Sequence, residues 1–330
     1  MGSGHRVLLL THSDDAHVPP VEEELRRRGG EVLRCNLADF PAHLTLSARL
    51  DQGWHGMLTT DEGQIVALET LHSIWWRRPL RYCAPKTYPP EVRMFVEREA
   101  SRGLLGVLHG LQAFWVSPPD AIQHAESKPL QLVTAHRLGL RVPRTLITND
   151  PADVRAFYEA CHGRIISKAV ARGYIDGPPG TPRFLYTNRV SLEDLAHLDG
   201  VRATAHLFQE VVPKMLEVRV VVIGRHVFAV EIYSQNSETT RLDWRRSYSS
   251  LTYGLHRLSR DITEKLLQLV RTFGLQFSSI DLILTPEGEY CSVEQNPNGQ
   301  YYWLQVQMPD RLPLKEAMAD LLFSPEEMGL

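Results

Sequence analysis

Cysteine is scarce. Only Cys35, Cys83, Cys161 and Cys291 occur in 330 residues, and no two form a C-x-x-C pair. That excludes a zinc ribbon and a disulfide framework, and makes reduced thiols in a cytoplasmic protein the expectation. A surplus of one charge is missing too. The 36 basic and 39 acidic residues leave a formal net charge of −3, which excludes a general nucleic-acid binder with its basic excess. No apolar run approaches the ~20 residues of a membrane span. The opening residues Met1–His5 lack the apolar stretch of a secretory signal. Neither G-x-G-x-x-G after the first strand nor the phosphate-binding G-x-x-x-x-G-K-[ST] is present. His12, His17, His55, His109, His124 and His206 show no metal spacing, and no Ser-His-Asp order can be argued. A hydrolase with a nucleophilic serine or cysteine is therefore not the expectation. There is no internal repeat and no long low-complexity segment.

What is present is an ordinary folding composition, 43% hydrophobic, in a chain long enough for two or three subdomains. Arg6 to Thr11 reads as a buried parallel strand, 18–29 as a helix entered at Pro19-Pro20, and Glu31 to Asn36 as a second strand. This β-α-β opening predicts an α/β first domain. Further strands over 43–70, the run Ser73 to Pro79, a long helix over 90–112 and a strand at 115–117 complete it, and Pro118-Pro119 closes it. Helices over 128–138 and 151–161 and strands over 145–148 and 164–168 follow. Next come a Gly/Pro-rich loop over 171–182, an extended stretch over 184–188 and a helix from Ser191. A strand over 207–212, a hairpin across Gly224-Arg225, a helix over 261–273 and a last hairpin finish the reading. The expected domains are 1–118, 119–206 and 207–330.

The last hairpin carries the strongest chemical signal. Two extended runs, one holding Asp281 and the other Glu294 and Asn296, flank the turn Thr285-Pro286-Glu287-Gly288. Side chains alternate along a strand, so Glu294 and Asn296 share a face, and the hairpin can bring Asp281 beside them. Two carboxylates and an amide oxygen suit a hard cation such as magnesium, which usually arrives with phosphate oxygens. Asp, Glu and Asn are also ordinary hairpin residues. Lys168 ends a strand and precedes the glycine-bearing loop, where backbone N–H groups can bind anions. Glu217 and Arg219 share a strand face, with a guanidinium fork that fits phosphate; a surface ion pair would look the same.

Taken in order, Lys128, Lys168, Gln209-Glu210, Glu217-x-Arg219, Asp281 and Glu294-x-Asn296 resemble the pattern of ATP-grasp ligases over about 120 to 310. Four further segments resemble the microviridin-type peptide maturases, or graspetide synthetases. These are Trp76-Arg77-Arg78-Pro79, Tyr186-Thr187-Asn188, Asp243-Trp244-Arg245 and Glu294 to Gln300. The resemblance implies an α/β ATP-grasp fold: an N-terminal pre-ATP-grasp domain, a small central subdomain and a C-terminal antiparallel-sheet subdomain. It implies ATP and Mg2+ as cofactors. Lys128 and Lys168 would meet nucleotide phosphates, Glu210 and the backbone of Val212 adenine, and Glu217 ribose. Arg219 would face the γ-phosphate and the acyl phosphate, and Asp281, Glu294 and Asn296 would carry magnesium. Arg77, Arg78 and Arg245 are candidates for the substrate carboxylate, with Tyr186 also on the substrate side. Lys168, Arg219 and Arg245 would be catalytic. Pro129, directly after Lys128, is tolerated at a helix start.

The implied reaction phosphorylates a side-chain carboxylate of a ribosomally made precursor peptide. A Ser or Thr hydroxyl or a Lys amine of the same peptide then closes an ester or amide ring. The loop over 171–182 would exclude water. Arg183 to Arg189 and the following helix are the expected surface for the peptide's leader segment, an extended stretch open to an added strand or helix. Expected partners are this peptide and, as the default among soluble oligomers, a second copy of the chain; nucleic acid and membrane are not expected. An amino-acid ligase adding glutamate or building a small peptide is the first alternative. A scaffold that binds ATP and peptide without chemistry is the second.

Overall fold

A computed structural model describes residues 5–171, 173–175 and 183–330. The first part alternates as the sequence predicts. Strand β1 (Arg6–Thr11), helix α1 (Pro19–Arg27) and strand β2 (Glu31–Cys35) form the opening unit. Strands β3 (Leu44–Leu50), β4 (Trp54–Thr60) and β5 (Ile65–Ala67) form a separate antiparallel sheet. Then come β6 (Leu71–Arg78), the long α2 (Pro90–His109) and β7 (Phe114–Val116). The main sheet is parallel, in the order β2-β1-β6-β7. Its inner strand β1 is apolar on both faces, as helix-covered parallel strands are.

The central part holds α3 (Pro119–Ala125), α4 (Lys128–Arg137), β8 (Thr145–Thr148), α5 (Pro151–Ala160) and β9 (Ile165–Lys168). The short β10 (Tyr174–Ile175) and β11 (Arg183–Phe184), then β12 (Asn188–Arg189), α6 (Leu192–Ala196) and β13 (His206–Glu210) follow. β12-β9-β13-β8 is one antiparallel sheet. Pro151 at the first turn of α5 and Asp150, whose carboxylate accepts the Ala152 N–H at 2.9 Å, start that helix where the sequence placed it. Much of the predicted glycine-bearing loop, residues 172 and 176–182, lies outside the described residues.

The last part is a five-stranded antiparallel sheet, β16-β15-β14-β17-β18. Its strands are β14 (Leu216–Ile223), β15 (His226–Ile232), β16 (Tyr253–His256), β17 (Phe277–Leu284) and β18 (Tyr290–Asn296). Helix α7 (Arg260–Thr272) buries Leu266, Leu269 and Val270 against it. Every residue of β14 is buried, so Glu217 and Arg219 are interior residues and not a surface pair.

The sequence reading stopped short of three helices, α8 (Tyr302–Gln307), α9 (Leu314–Phe323) and α10 (Pro325–Met328). α9 returns to the first part. Leu314, Met318, Leu321 and Leu322 share one apolar core with Val7, Leu9, Val21 and Trp75. The Ser73 hydroxyl donates to the Leu322 carbonyl at 2.8 Å. The α/β class holds, and the first and last parts are joined by a continuous core.

Candidate functional site

A cleft of about 1130 Å³ opens among the three parts. Lys128, Lys168, Glu210, Val212, Glu217, Asp281, Glu294 and Asn296 all line it, with Arg78, Tyr186 and Arg245. At its floor β17 and β18 pair in a register that sets Asp281 directly opposite Glu294. Leu282 faces Ser292, so Val293 is an extra residue, a bulge that turns the strand at this point. Asn296 lies two residues on and donates its amide to Asp281 Oδ2 at 3.3 Å.

Two lysines approach these carboxylates from the central part. Helix α4 is fixed on β18 by Gln131, whose amide donates to the Gln295 carbonyl at 2.7 Å and accepts the Gln295 N–H at 3.0 Å. That grip aims Lys128 at the head of the helix, and Pro129 does not disturb it. Lys128 Nζ lies 3.3 Å from Glu294 Oε1 and donates to the Ala169 carbonyl at 2.8 Å. Lys168 Nζ donates to the Val293 carbonyl at 3.3 Å. Burial lowers the Lys168 pKa to about 8, with Lys128 and Arg245 adding to the fall and Glu294 opposing it. Burial alone would raise Glu294, but Lys128, Lys168 and Arg245 outweigh it and hold the carboxyl below its usual value. Asp281 is raised, by burial first and by Glu294, against the pull of Arg219.

Arg219 sits behind this floor. It is 5% exposed, and its Nη1 reaches both oxygens of Asp281 at 2.7 Å. Its Nη2 donates to the Gln300 carbonyl at 3.0 Å. Asp281 lines the cleft and Arg219 holds both its oxygens, so the guanidinium lies next to the carboxylate that the cleft exposes. Glu217 has both oxygens engaged, by Lys214 at 2.7 Å and by the Ser234 hydroxyl, while burial raises its pKa. Glu210, at the end of β13, accepts the Arg144 N–H at 3.0 Å, and Val212 lines the cleft two residues on.

Among the described residues no group of three or more His, Cys, Asp or Glu side chains converges as a metal set. The donor set is two opposed carboxylates and one amide. Its oxygens are hard, and the buried like-charge pair gains from a cation, so a magnesium ion that keeps water or phosphate oxygens fits it.

A family model described as the MvdD pre-ATP grasp domain matches residues 6–123. No curated protein matches the chain. Two solved macrocyclases from Microcystis aeruginosa MRC are similar along nearly their full length. MdnC, solved with precursor peptide MdnA, is 30% identical at TM-score 0.84, covering 97% of this chain and 99% of that one. MdnB is 31% identical at TM-score 0.78, with the same coverage. The chain belongs to the ATP-grasp macrocyclase, or graspetide synthetase, family. A Chryseobacterium gregarium RiPP-associated ATP-grasp ligase, solved with ADP and with leader and core peptides, agrees at 27% identity and TM-score 0.88 over 97% of each chain.

Within this graspetide synthetase fold the substrate-side arginines divide. Arg77 is 0% exposed, with its Nε 3.1 Å from Asp15. It donates to the carbonyls of Asn298 and Gly299 at 2.8 and 2.9 Å. Its guanidinium lies on the Trp75 side of β6, buried among these partners at the margin of the cleft. Arg78, on the opposite face of the strand, lines the cleft and donates to the Asn298 carbonyl at 2.9 Å. Arg245 is 41% exposed and binds Asp243 with two nitrogens, at 2.8 and 2.6 Å. Hydrogen bonds from Arg245 hold the Asp243 carboxyl down at about 2 despite the opposing pull of burial, which is the largest influence. Asp243 also accepts the Thr187 N–H at 3.1 Å, tying the Tyr186 segment to the Arg245 turn. Arg246 stacks over Tyr186 at 5.2 Å. The sequence reading missed the roles of Lys214 and Arg246. An i,i+3 Lys-Glu spacing, Lys214 to Glu217, was the available signal for the first.

Proposed function

We propose that this ATP-grasp ligase uses Mg-ATP to phosphorylate an Asp or Glu side chain of a precursor peptide, then closes an ester or amide ring within that peptide. One observation carries the reading: Asp281 and Glu294 face each other on the cleft floor, with Lys128 and Lys168 poised above them. A carboxylate resists attack because its charge is delocalised and its leaving group is poor. Its oxygen takes the γ-phosphorus of ATP, the bond to ADP breaks, and an acyl phosphate results. A Ser or Thr hydroxyl or a Lys amine then attacks the carbonyl carbon, phosphate leaves, and the nucleophile's proton departs with it.

Asp281, Glu294 and Asn296 would hold magnesium, which when bound neutralises charge on the transferring phosphoryl group. PsnB, an ATP-grasp ligase of the same fold at 24% identity, was solved with Mg and ADP. Lys128 and Lys168 supply positive charge to the phosphates, and Arg219, next to Asp281, adds its own. Glu210 and the Val212 backbone form the adenine edge, and Glu217 with Lys214 stands on the ribose side. Arg78, Arg245 and Tyr186 line the wall where the substrate carboxylate would lie. Positioning converts an improbable ring closure into a local reaction. Incubation with Mg-ATP and a candidate precursor should lower the peptide mass by one water per ring and release one ADP each time. ADP release without mass loss would overturn the macrocyclase reading.

The leader would bind the stretch Arg183 to Arg189 and the following helix, α6. Phe184 and Leu185, which line the cleft, are 61% and 44% exposed, and Ile175, paired with Arg183, and Leu192 of α6 are 54% and 74% exposed. An apolar strip of this kind suits an added strand or helix, and an enzyme joining small amino acids has no use for it. Removing the leader from the peptide is expected to cut turnover at low peptide concentration by about tenfold or more, with a smaller effect at saturation. Equal turnover with and without leader would remove the assignment.

A second copy of the chain is proposed as partner. Met94 and Phe95 of α2 are 70% and 54% exposed, and light scattering that gives the monomer mass would refute it. No helix among the described residues is long and apolar enough to cross a membrane. A cytoplasmic location is proposed from the four free thiols. The divisions near 118 and 206 are proposed with one amendment: the C-terminal helices complete the core of the first part.

A further inference from the structure

Two buried arginines grip the segment 297–300 from opposite sides. On one side Arg77 Nη1 donates to the Asn298 carbonyl at 2.8 Å, to its side-chain oxygen at 3.0 Å and to the Gly299 carbonyl at 2.9 Å. The Asn298 amide donates back to the Arg77 carbonyl. On the other side Arg219 Nη2 donates to the Gln300 carbonyl at 3.0 Å. Gly299 fits between with no room to spare. A Cβ there would stand 2.6 Å from Ser279 Cβ and 3.1 Å from Arg219 Nη2.

Arg77 is itself anchored. Asp15, in the loop after β1, places Oδ2 3.1 Å from its Nε. The same carboxylate accepts the Thr11 hydroxyl at 3.1 Å and the His17 N–H at 3.0 Å. His17 Nδ1 then accepts the N–H groups of Tyr302 at 3.1 Å and Tyr301 at 3.4 Å. Loop 11–17 and segment 297–302 are thus interlocked. A guanidinium with no exposed surface is costly unless paired and hydrogen-bonded, and a residue whose only task was to fill the core would carry no charge. Asn296 enters this segment from one end, and the Arg219 contact lies at the other.

We propose that Arg77, held by Asp15, is a positioning residue that clamps segment 297–300 and thereby aims Asn296 and Arg219 at the metal side of the cleft. The first domain then sets how tightly the site holds magnesium with its nucleotide. The inference rests on the reading of Asp281, Glu294 and Asn296 as the Mg-ATP site.

Calorimetry of ATP binding to the full chain, in EDTA and over a series of Mg2+ concentrations, tests it. Arg77→Lys keeps the positive charge but, with a single nitrogen, cannot hold Asp15 and the 298–299 oxygens together. It is expected to bind ATP in EDTA as the unaltered chain does, yet to need about tenfold more Mg2+ for the same gain in affinity, as loss of an outer-shell partner does. Asn298→Ala deletes only side-chain bonds of a half-buried residue and should shift the requirement in the same direction by less. The double variant should be no worse than Arg77→Lys, since both act through one segment. An unchanged Mg2+ requirement, or equal weakening with and without Mg2+, would overturn the clamp. Should Arg77→Lys fail to fold, the Asn298→Ala titration decides alone. If the unaltered chain shows no effect of Mg2+ on ATP binding, the metal-site reading itself falls and the clamp with it.

Discussion

Glu294→Gln is expected to reduce ring closure by roughly 10²- to 10³-fold, the loss seen when one preorganised charge-stabilising group is removed from a reacting centre. The substitution keeps the volume and the hydrogen-bonding reach of the side chain. It removes the charge that faces Asp281 across the β17–β18 pair and that Lys128 approaches at 3.3 Å. The carboxyl is held below its usual value by Lys128, Lys168 and Arg245 against the pull of burial, so it is ionised at neutral pH. Without it the cation loses a ligand, and Lys168 loses the negative charge that opposes its burial, a support that bound phosphates restore. ATP binding in EDTA should therefore survive, and the gain on adding Mg2+ should vanish. Mass spectrometry of the peptide and calorimetry of the nucleotide read the two effects separately. Turnover within a factor of a few of the unaltered chain would remove Glu294 from the metal set.

The choice of Glu294 over Asp281 is physical. Asp281 is bound at both oxygens by Arg219. Asp281→Asn would leave a buried guanidinium without its counter-charge, at a cost of about 3–5 kcal/mol. Lost activity there would mix chemistry with lost folding. The lysines near Glu294 line the cleft and keep backbone carbonyls as hydrogen-bond acceptors when the charge goes.

The hairpin was legible in the sequence because its signals are local. A Pro/Gly turn fixed the register, and the two-residue period put Glu294 and Asn296 on one face. The bulge at Val293 has no such signal, since one extra residue in an apolar strand looks like any other. The substrate-side arginines were half legible. Trp75 and Arg77 share one face of β6, Trp76 and Arg78 the other, and Trp75 is 1% exposed. That alternation could have told the buried arginine from the one on the cleft. The partner of Arg77 could not be read: Asp15 lies far off in sequence, and only the parallel pairing of β1 with β6 brings them together. Helix α9 was missed for a similar reason. Its residues bury nearly all round, so no amphipathic period announces it, and its place in the first core depends on contacts with the other end of the chain.

Lys168 should make nucleotide affinity fall with rising pH. Burial, aided by Lys128 and Arg245, brings its pKa down from 10.5 to about 8 in the nucleotide-free protein. Bound phosphates favour the ammonium and raise that value. Between the two values, binding takes up a proton, so the Kd for Mg-ATP should rise by up to tenfold for each pH unit above about 8 and stay flat below it. Lys168→Met should weaken Mg-ATP binding and abolish this slope, and turnover should fall by about 10²-fold or more. The folded protein gives an independent reading of the same shift. Between about 8 and 10.5 the unfolded chain keeps the lysine proton that the native chain has lost, so stability of the nucleotide-free protein rises with pH through that window. The Lys168→Met variant lacks that contribution. Calorimetric titrations and thermal melts from about pH 7 to 10 measure both. A Kd that stays level across this range, with Lys168→Met still binding weakly, would mean that the lysine is not poised near 8 and serves the phosphates by some route other than a tunable charge.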